Sequence, residues 1–323
     1  RCTVVTGVQT CALPICIAEL VAPGGRLAVP MLPPDRLLPL AQAAEAAGWD
    51  AVTLPESVFY PEEVSADYPY TSDGKRFWAA DAPFVDPWVA IPAIAATTER
   101  LMLGTNVTKL TLRHPLLMAK TVGSTAAMFP GRIELGVGLS WIPEEFAWLD
   151  QEMSNRGARL NEQIDVMRAV LAGGWVEHHG RFYDFDRLRM DPAPDPAVRL
   201  HVGGHSDAGI KRSLRRGDGW IGAQCDLDAI ADITDRLREL RAEIGDDALV
   251  PADRFEVKLT PIVAPTTEAM EEVEAMGVTE VITSPWYFYP GDPDDPIAQL
   301  DSVTRFGDEV ITPMSARGTT ETP

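Results

Sequence analysis

Short β-branched or apolar runs alternate with longer segments of helical period from Arg26 onward, and this alternation constrains the fold more than any other feature of the sequence. It is typical of parallel strands joined by helical crossovers. Eight strand-like runs are present, at residues 26–31, 51–56, 101–107, 132–138, 199–204, 219–223, 255–263 and 280–286. Eight strands with intervening helices predict an α/β fold of the (β/α)8 TIM barrel type, whereas a doubly wound sheet more often has fewer strands or a second domain.

Helical periodicity and glycine positions support the same interpretation. Two apolar stripes have helical spacing, one running from Leu160 to Leu171 and the other from Ile230 to Leu240. Glycines fall between a helical segment and the next strand, where a left-handed residue is expected to end the helix. These glycines are Gly48, Gly131, Gly217 and Gly277.

Three segments are too long to be simple connections. Residues 57–86, rich in Tyr, Pro and Asp, follow the second strand and would stand over the mouth of the barrel. Residues 139–155 follow the fourth strand, and residues 175–190 alternate around the sequence HHG as a small hairpin would. We therefore expect one barrel domain over residues 17–312 with insertions in its βα loops, followed by a disordered tail at 313–323.

The N-terminal segment differs in character from the rest of the chain. Three of the four cysteines, Cys2, Cys11 and Cys16, lie there without the Cys-x-x-Cys spacing of a zinc site. The stretch VTGVQTCALPI resembles the translation of a sequencing adapter, so residues 1–16 are expected to be a non-native tail. With Cys225 as the cysteine left in the body, we expect a reducing, cytoplasmic location.

The net negative charge of the chain limits the classes of molecule that it is expected to bind. The chain has a formal net charge of -20, and both nucleic acids and anionic membranes need a positive footprint on the protein. No run reaches the ~18 uninterrupted apolar residues of a membrane span. The expected partner is a small molecule, and paired barrel helices would be compatible with a homodimer.

Familiar catalytic motifs are missing from the sequence. It contains no P-loop, no Gly-x-Ser-x-Gly and no His-Glu-x-x-His. Its histidines are too far apart in the sequence to indicate a metal site. His201 lies inside a strand and is interpreted as structural, and His178 and His179 fall at the hairpin turn. For His114 and His205, just beyond strand ends, a site role and a structural role both remain open.

A glycine-rich strand end offers a possible anion site. Gly203 and Gly204 lead into a helix that is predicted to begin near Ser206 or Asp207, where backbone N–H groups and the helix dipole favour a phosphate. The alternative is an ordinary tight turn. The basic run from Lys211 to Arg216 on that helix is expected to be mostly solvated.

Four stretches carry a family resemblance: AQAAEAAGWDAVTLPES at 41–57, then residues 95–146, 156–185 and 199–223. With these stretches the sequence resembles the luciferase-like monooxygenase superfamily, and within it the branch of coenzyme F420-dependent oxidoreductases. After Asp226 only the rhythm of strands and helices agrees. The resemblance implies a flavin-type tricycle bound in the barrel mouth, with the tail phosphate near residues 203–206.

Particular positions follow from this resemblance. It implies a bulge with a non-prolyl cis peptide between Asn106 and Val107, behind the tricycle. The implied cofactor-binding residues are Asn106, Val107, Gly138, Leu139, Ser140, Gly203, Gly204, His205 and Ser206. Many relatives have Asp-His after the second strand, where this chain has Glu56 and Ser57. The remaining candidates for acid, base or substrate contacts are Glu56, Tyr60, His114 and Glu145.

The leading hypothesis is an F420-dependent oxidoreductase that moves a hydride between reduced deazaflavin and a small organic substrate. Hydride transfer from a deazaflavin requires the protein mainly to position the reactants and to provide a proton source. Such a reaction is compatible with a sequence that has no conspicuous nucleophile. Two alternatives remain, an FMN-dependent monooxygenase using a partner reductase and O2, and a catalytically silent flavin-binding protein. Aromatic residues of the loops after the second and eighth strands are expected either to line an apolar pocket or to anchor those loops. These residues are Phe59, Tyr60, Tyr68, Tyr70, Phe77, Trp78, Trp286, Tyr287 and Phe288.

Overall fold

The computed structural model of the chain describes residues 25–71 and 73–318. The proposed non-native tail at 1–16 lies outside these ranges. The strands are β1 Arg26–Ala28, β2 Ala51–Leu54, β3 Met102–Thr105, β4 Thr108–Lys109, β5 Glu134–Gly138, β6 Trp175–His179, β7 Asp184–Arg189, β8 Arg199–Gly203, β9 Gly219–Cys225, β10 Glu256–Pro261 and β11 Glu280–Thr283. The α-helices are α1 Pro34–Ala46, α2 Pro87–Ala95, α3 Pro115–Met128, α4 Pro143–Trp148, α5 Arg156–Leu171, α6 Asp207–Arg216, α7 Leu227–Ile244, α8 Thr267–Ala275, α9 Pro296–Phe306 and α10 Thr312–Gly318.

Nine of these strands form one parallel sheet in the order β3-β2-β1-β11-β10-β9-β8-β5-β4. Strands β3 and β4 are the two halves of the third predicted run, which Asn106 and Val107 interrupt. The Leu103 amide donates a 2.7 Å hydrogen bond to the Arg132 carbonyl beside a bridge to Ile133, which joins the edges of the sheet. The result is a (β/α)8 barrel, so the predicted fold class is confirmed.

The predicted elements recur with small shifts of their ends. Each of the eight predicted runs contains a barrel strand, and residues 175–190 form the β6-β7 hairpin. The predicted apolar stripes lie on α5 and α7, where Leu160, Ile164, Ile230 and Leu240 are buried against the barrel. Strands buried on both faces explain why their sequences are continuous apolar runs.

The predicted left-handed backbone is confirmed at three of the four glycines between a helix and the next strand. Gly48, Gly131 and Gly277 have positive φ angles of 83°, 75° and 98°. The expectation for Gly217 is wrong, because its φ is -103° and its backbone is extended. A Cβ at this position would lie 2.8 Å from the carbonyl oxygens of Ser213 and Gly219. Close backbone approach, rather than left-handed geometry, therefore requires glycine there.

The C-terminal segment corrects another expectation. Residues 313–318, expected to be disordered, belong to α10, which follows a π-helical turn at Gly307–Ile311. Met314 is buried against the core, and the Ser315 hydroxyl donates a 2.9 Å hydrogen bond to the Ile311 carbonyl. The apolar side chain ties this turn to the barrel, while residues 319–323 lie outside the described ranges.

A buried cluster of charges fills the barrel near the N-terminal ends of its strands. The ammonium group of Lys258 lies 3.0 Å from Glu134, 2.9 Å from Glu256 and 2.5 Å from Glu280. Arg26 also pairs with Glu134. The three carboxylates are close enough to hold a metal ion, but the Lys258 ammonium lies among them and, together with Arg26, already offsets most of their charge.

The cluster shifts the proton affinities of its members. Burial lowers the pKa of Lys258 to about 8. Burial opposes ionisation of Glu256, yet the hydrogen bond from His201, 2.6 Å away, and the charge of Lys258 lower its pKa to about 2. His201 is therefore a structural residue, as its position inside a strand predicted. Among the described helices, none is long and apolar enough to cross a bilayer.

Candidate active site

A cavity of about 430 Å³ opens at the C-terminal mouth of the barrel. Strand ends form its floor, and the insertions at residues 55–86 and 139–155 form part of its sides. All nine residues that the family resemblance implied for the cofactor line this one cavity: Asn106, Val107, Gly138, Leu139, Ser140, Gly203, Gly204, His205 and Ser206. Parallel strands explain the grouping, because their carboxyl ends meet at the same end of a barrel.

The floor of the cavity is the backbone bulge between β3 and β4. The Asn106–Val107 peptide bond is cis, as predicted, and the Asn106 amide donates a 2.9 Å hydrogen bond to the Leu54 carbonyl. Val107 occupies the barrel centre because the neighbouring strand ends carry no side chains. A Cβ at Gly138 would lie 2.6 Å from Cγ2 of Val107, and one at Gly203 would lie 3.5 Å from its Cγ1.

The loop from β8 into α6 forms one end of the cavity. Gly204 has a φ of 134°, a conformation that side chains rarely allow. Its carbonyl accepts a 2.8 Å hydrogen bond from the Trp220 indole, and the Ser206 hydroxyl accepts one of 3.3 Å from the Gly209 amide. Ser206 thus caps α6 where the sequence predicted, and the N-terminus of this helix points its positive dipole end at the cavity.

Two arginines at this end were missed by sequence reasoning. Arg156 and Arg212 both line the cavity. Arg212 donates hydrogen bonds to Asn161 (2.6 Å) and to the Gly157 carbonyl (3.1 Å), and burial lowers the pKa of its guanidinium. Arg156 Nε is buried and has no hydrogen-bond partner among the described residues. Together they give this end of the cavity a positive character that suits an anion.

A helical-spacing argument could have identified Arg212. It lies three residues after Gly209, on the same face of α6, whereas Lys211, Arg215 and Arg216 pair with acidic residues at the surface. The expectation of a mostly solvated basic run holds for those three residues. It is wrong for Arg212, which is buried because the helix turns that position toward the cavity.

Glu56 lines the cavity, and each of its two carboxylate oxygens has a partner in the chain. Its Oε1 lies 2.5 Å from the Arg113 guanidinium, and its Oε2 accepts a 2.7 Å hydrogen bond from the Lys109 amide. These contacts join the end of β2 to the segment that follows β4. Glu56 therefore positions the floor of the cavity as well as bordering it.

The other three catalytic candidates do not themselves line the cavity. Glu145 is completely buried, lies 2.5 Å from the Lys109 ammonium and accepts a hydrogen bond from the Ser140 hydroxyl. Tyr60 packs beneath the Arg76 guanidinium. His114 caps α3 and contacts the ring of Tyr183. Glu145 reaches the cavity through Ser140 and Lys109, whereas Tyr60 and His114 have no such link.

His205 is the histidine among the described residues that line the cavity. Its Nε2 accepts a 3.1 Å hydrogen bond from the Ala223 amide, which requires that nitrogen to be unprotonated and leaves the ring proton on Nδ1. The atoms packed around the ring lower its pKa. His205 is therefore a neutral imidazole that can donate one hydrogen bond from Nδ1.

Aromatic side chains form another side of the cavity, and the ring of Tyr70 contacts that of His205. Those that line it are Tyr68, Tyr70, Phe77, Trp78, Phe84 and Trp141. Four of them belong to the aromatic set that the sequence placed in the loop after the second strand. Phe59, Tyr60 and the residues after the eighth strand, from Trp286 to Phe288, do not line it, and Trp286 is buried in the core. Both sequence interpretations therefore apply, to different members of the set.

The sequence matches the family model described as luciferase-like monooxygenase over residues 14–290. The chain belongs to this family. A protein of Mycobacterium bovis that has no assigned function is 37% identical over 276 residues, which cover 85% of this chain and 94% of that protein. An F420-dependent glucose-6-phosphate dehydrogenase of Nakamurella multipartita is 32% identical over 193 residues, which cover 58% of this chain and 52% of the relative.

Solved structures share the fold at lower sequence identity. The monooxygenase RslO1 from Streptomyces bottropensis superposes with a TM-score of 0.63 at 16% identity, covering 88% of this chain and 98% of that chain. An F420-dependent secondary alcohol dehydrogenase in complex with an F420-acetone adduct superposes with a TM-score of 0.61 at 18% identity, covering 91% and 88%. The similarity to these solved structures supports the barrel fold of the chain. Its membership of the luciferase-like family shows that it is an oxidoreductase.

Proposed function

We propose that the chain is an F420-dependent oxidoreductase that transfers a hydride between reduced deazaflavin and a small organic substrate. The observation that carries the proposal is the division of one cavity into a backbone floor, a positive end and an aromatic wall. The 32% identical relative, which is named as F420-dependent, supports the choice of deazaflavin over FMN.

The residues present fit a planar cofactor with an anionic tail. Gly138 and Gly203 line the cavity beside Val107, and because neither has a side chain, a flat ring can lie against the Val107 bulge. Arg156 offers an unpartnered Nε at the end where the N-terminus of α6 also favours negative charge. Asn106, Val107 and residues 138–140 would contact the ring, Gly203, Gly204 and Ser206 with Arg156 and Arg212 would hold the tail, and His205 would lie between the tail and the aromatic side chains, where its ring contacts that of Tyr70.

Bound F420 in its reduced form supplies a hydride, and the chain must supply position and a proton. A carbonyl carbon that gains a hydride also needs a proton on its oxygen, and the reverse oxidation needs an acceptor for that proton. His205 holds a proton on Nδ1 at the cavity, so it can donate a hydrogen bond to a carbonyl oxygen placed beside it, and water supplies the proton that this oxygen gains. Glu56 and Arg113 keep the floor in place while this exchange occurs.

Cofactor binding tests the proposal directly. Purified protein is incubated with F420 or with FMN, desalted, and its absorbance spectrum is recorded. We expect F420 to remain bound and FMN to be lost, and we expect Arg212→Gln to release F420 while Arg215→Gln on the same helix retains it. Retention of FMN alone would favour the luciferase-like monooxygenase function. Reduced F420 that no carbonyl acceptor oxidises would favour a cofactor-binding protein without turnover.

A further inference from the structure

The aromatic side of the cavity is an interlocked and electrically neutral wall. The ring of Tyr68 contacts those of Tyr70, Phe77, Trp78 and Trp141 edge-on, with centroids 5.2 to 5.6 Å apart. Edge-to-face packing of this kind fixes the rings against one another. Burial of Tyr68 and the protein atoms packed around the hydroxyl group of Tyr70 raise the pKa of both side chains, so the two hydroxyl groups remain protonated at physiological pH.

Of the cations near this wall, Lys109 and Arg113 already have carboxylate partners, and the Arg76 guanidinium packs over the Tyr60 ring outside the cavity lining. Lys109 is held 2.5 Å from Glu145, which is completely buried. Arg113 is held 2.5 Å from Glu56 and 3.1 Å from Asp86. An incoming anion would have to compete with these carboxylates for either cation, and separating a buried carboxylate from its partner is unfavourable.

The two remaining cations of the cavity lining lie elsewhere. Arg212 belongs to α6, and its contact with Gly157 holds it next to the start of α5, where Arg156 is the first residue. Both therefore serve the end of the cavity where the cofactor tail would lie. Within the described residues, the aromatic wall consequently faces a substrate space that offers ring surfaces and no available positive charge.

We infer that this space takes a neutral, apolar ring compound and excludes substrates that carry a phosphate or carboxylate. The inference rests on the proposed function, because it assumes that the basic end of the cavity is used by the cofactor. It separates this chain from its F420-dependent relative that is named for a sugar phosphate. For a ketone of this class, the carbonyl carbon gains the hydride and the oxygen gains a proton, giving a secondary alcohol as reduced F420 loses two electrons.

A matched pair of probes tests the charge of the substrate space. Acetophenone and 4-acetylbenzoate share a ring and a carbonyl group and differ in one carboxylate. Each is titrated by calorimetry into the full chain that has been saturated with F420. We expect acetophenone to bind at least 10-fold more tightly than 4-acetylbenzoate. Equal or tighter binding of 4-acetylbenzoate, or no binding of acetophenone, would overturn the inference.

Variants of the aromatic wall test where the probes bind and whether the preference for acetophenone over 4-acetylbenzoate can be reversed. Trp78→Ala should weaken acetophenone at least 5-fold, whereas Trp175→Ala, on the exposed β6 strand, should not. Tyr70→Lys adds a cation to the wall at a side chain that is 45% exposed, and it should improve 4-acetylbenzoate at least 10-fold. An unchanged affinity in Trp78→Ala, or an unchanged preference in folded Tyr70→Lys, would count against the wall as the substrate site.

The same calorimeter separates this inference from the proposed function. F420 is first titrated into the chain alone, and the absence of heat at that stage would contradict the proposed function. The two probes are then titrated into cofactor-free protein as well. Acetophenone binding that needs Trp78 would support the substrate class even if F420 did not bind.

Discussion

The backbone amide of Ala223 donates a 3.1 Å hydrogen bond to Nε2 of His205. This contact links the loop after β8 to the end of β9 and selects the tautomer that carries its proton on Nδ1. The neutral form of His205 is thereby favoured by two effects, the loss of solvent on the sides of the ring where protein atoms pack and the need for an acceptor at Nε2.

We expect His205 to titrate below the ordinary histidine value of 6.5. Since its pKa is lower in the folded state, the neutral ring contributes stability that is present above pH 6.5 and is lost as the pH falls through the folded-state pKa. Two-dimensional 15N NMR of the imidazole should show the Nδ1-protonated tautomer at pH 7. In His205→Gln the decline of stability in this pH range should be smaller, and a pKa above 6.5 would contradict the prediction.

Arg212→Gln should weaken cofactor binding. The substitution removes a charge-assisted donor beside the N-terminus of α6, a change worth about 1.5 to 3 kcal/mol, or roughly 10-fold to 150-fold in Kd. Fluorescence titration with F420 measures the affinity. Arg215→Gln, on the same helix but paired with Asp247 at the surface, is the matched control and should change Kd less than 2-fold. Equal effects of the two variants would mean that the tail lies elsewhere.

Gly138→Ala should disturb the floor of the cavity. The new Cβ would lie 2.6 Å from Cγ2 of Val107, so Val107 has to move, at a cost of about 1 to 3 kcal/mol. We expect a lower Tm and weaker F420 binding. The double variant Gly138→Ala/Val107→Ala removes the clashing methyl group and should recover part of the lost stability. Loss without any recovery would show that the glycine serves another purpose.

Glu134→Gln should strongly destabilise the barrel. The substitution leaves Lys258 and Arg26 without their shared buried carboxylate, and breaking such a buried pair costs about 3 to 5 kcal/mol. Urea unfolding followed by circular dichroism measures the change. Asp235→Asn, which breaks an exposed pair with Arg238, is the control and should cost less than about 1 kcal/mol. Similar losses in both variants would contradict the distinction.

Glu256 should make the protein sensitive to acid. Its pKa is about 2 in the folded state against an ordinary value of 4.5, so its contribution to stability is present above pH 4.5 and is lost as the pH falls toward 2. Glu256→Gln should be less stable than the native chain at pH 6, with a smaller difference at pH 3. Parallel stability curves for the two proteins between pH 6 and 3 would rule out this role.

The barrel could be predicted because each of its parts has a local sequence signal. Runs such as 132–138 are apolar on both faces, and helices such as α7 repeat apolar residues every three or four positions. Ends of elements were less accurate, since β5 begins at Glu134, two residues after the predicted start. The extended backbone of Gly217 was missed because sequence patterns do not report which carbonyl groups approach a given residue.

The cavity was predicted in part for the same reason. Residues at strand ends, such as Gly138 and Gly203, meet in any parallel barrel, so their grouping follows from the fold. The direction of a side chain on an insertion does not. Glu145 contacts Lys109, and Trp141 belongs to the aromatic wall. Both arrangements depend on contacts between segments that are distant in the sequence. The roles assigned to these cavity residues stay predictions.

The floor and the wall of the cavity come from different parts of the chain, and this separation affects how the protein can evolve. The floor consists of strand ends, glycines and a backbone bulge that the whole barrel holds in place. The wall consists of side chains on inserted loops, which tie to each other through contacts such as Ser65 with Glu144. We therefore expect substitutions at Tyr70 or Trp78 to change the range of substrates while the strand ends that are proposed to hold the cofactor stay unaffected.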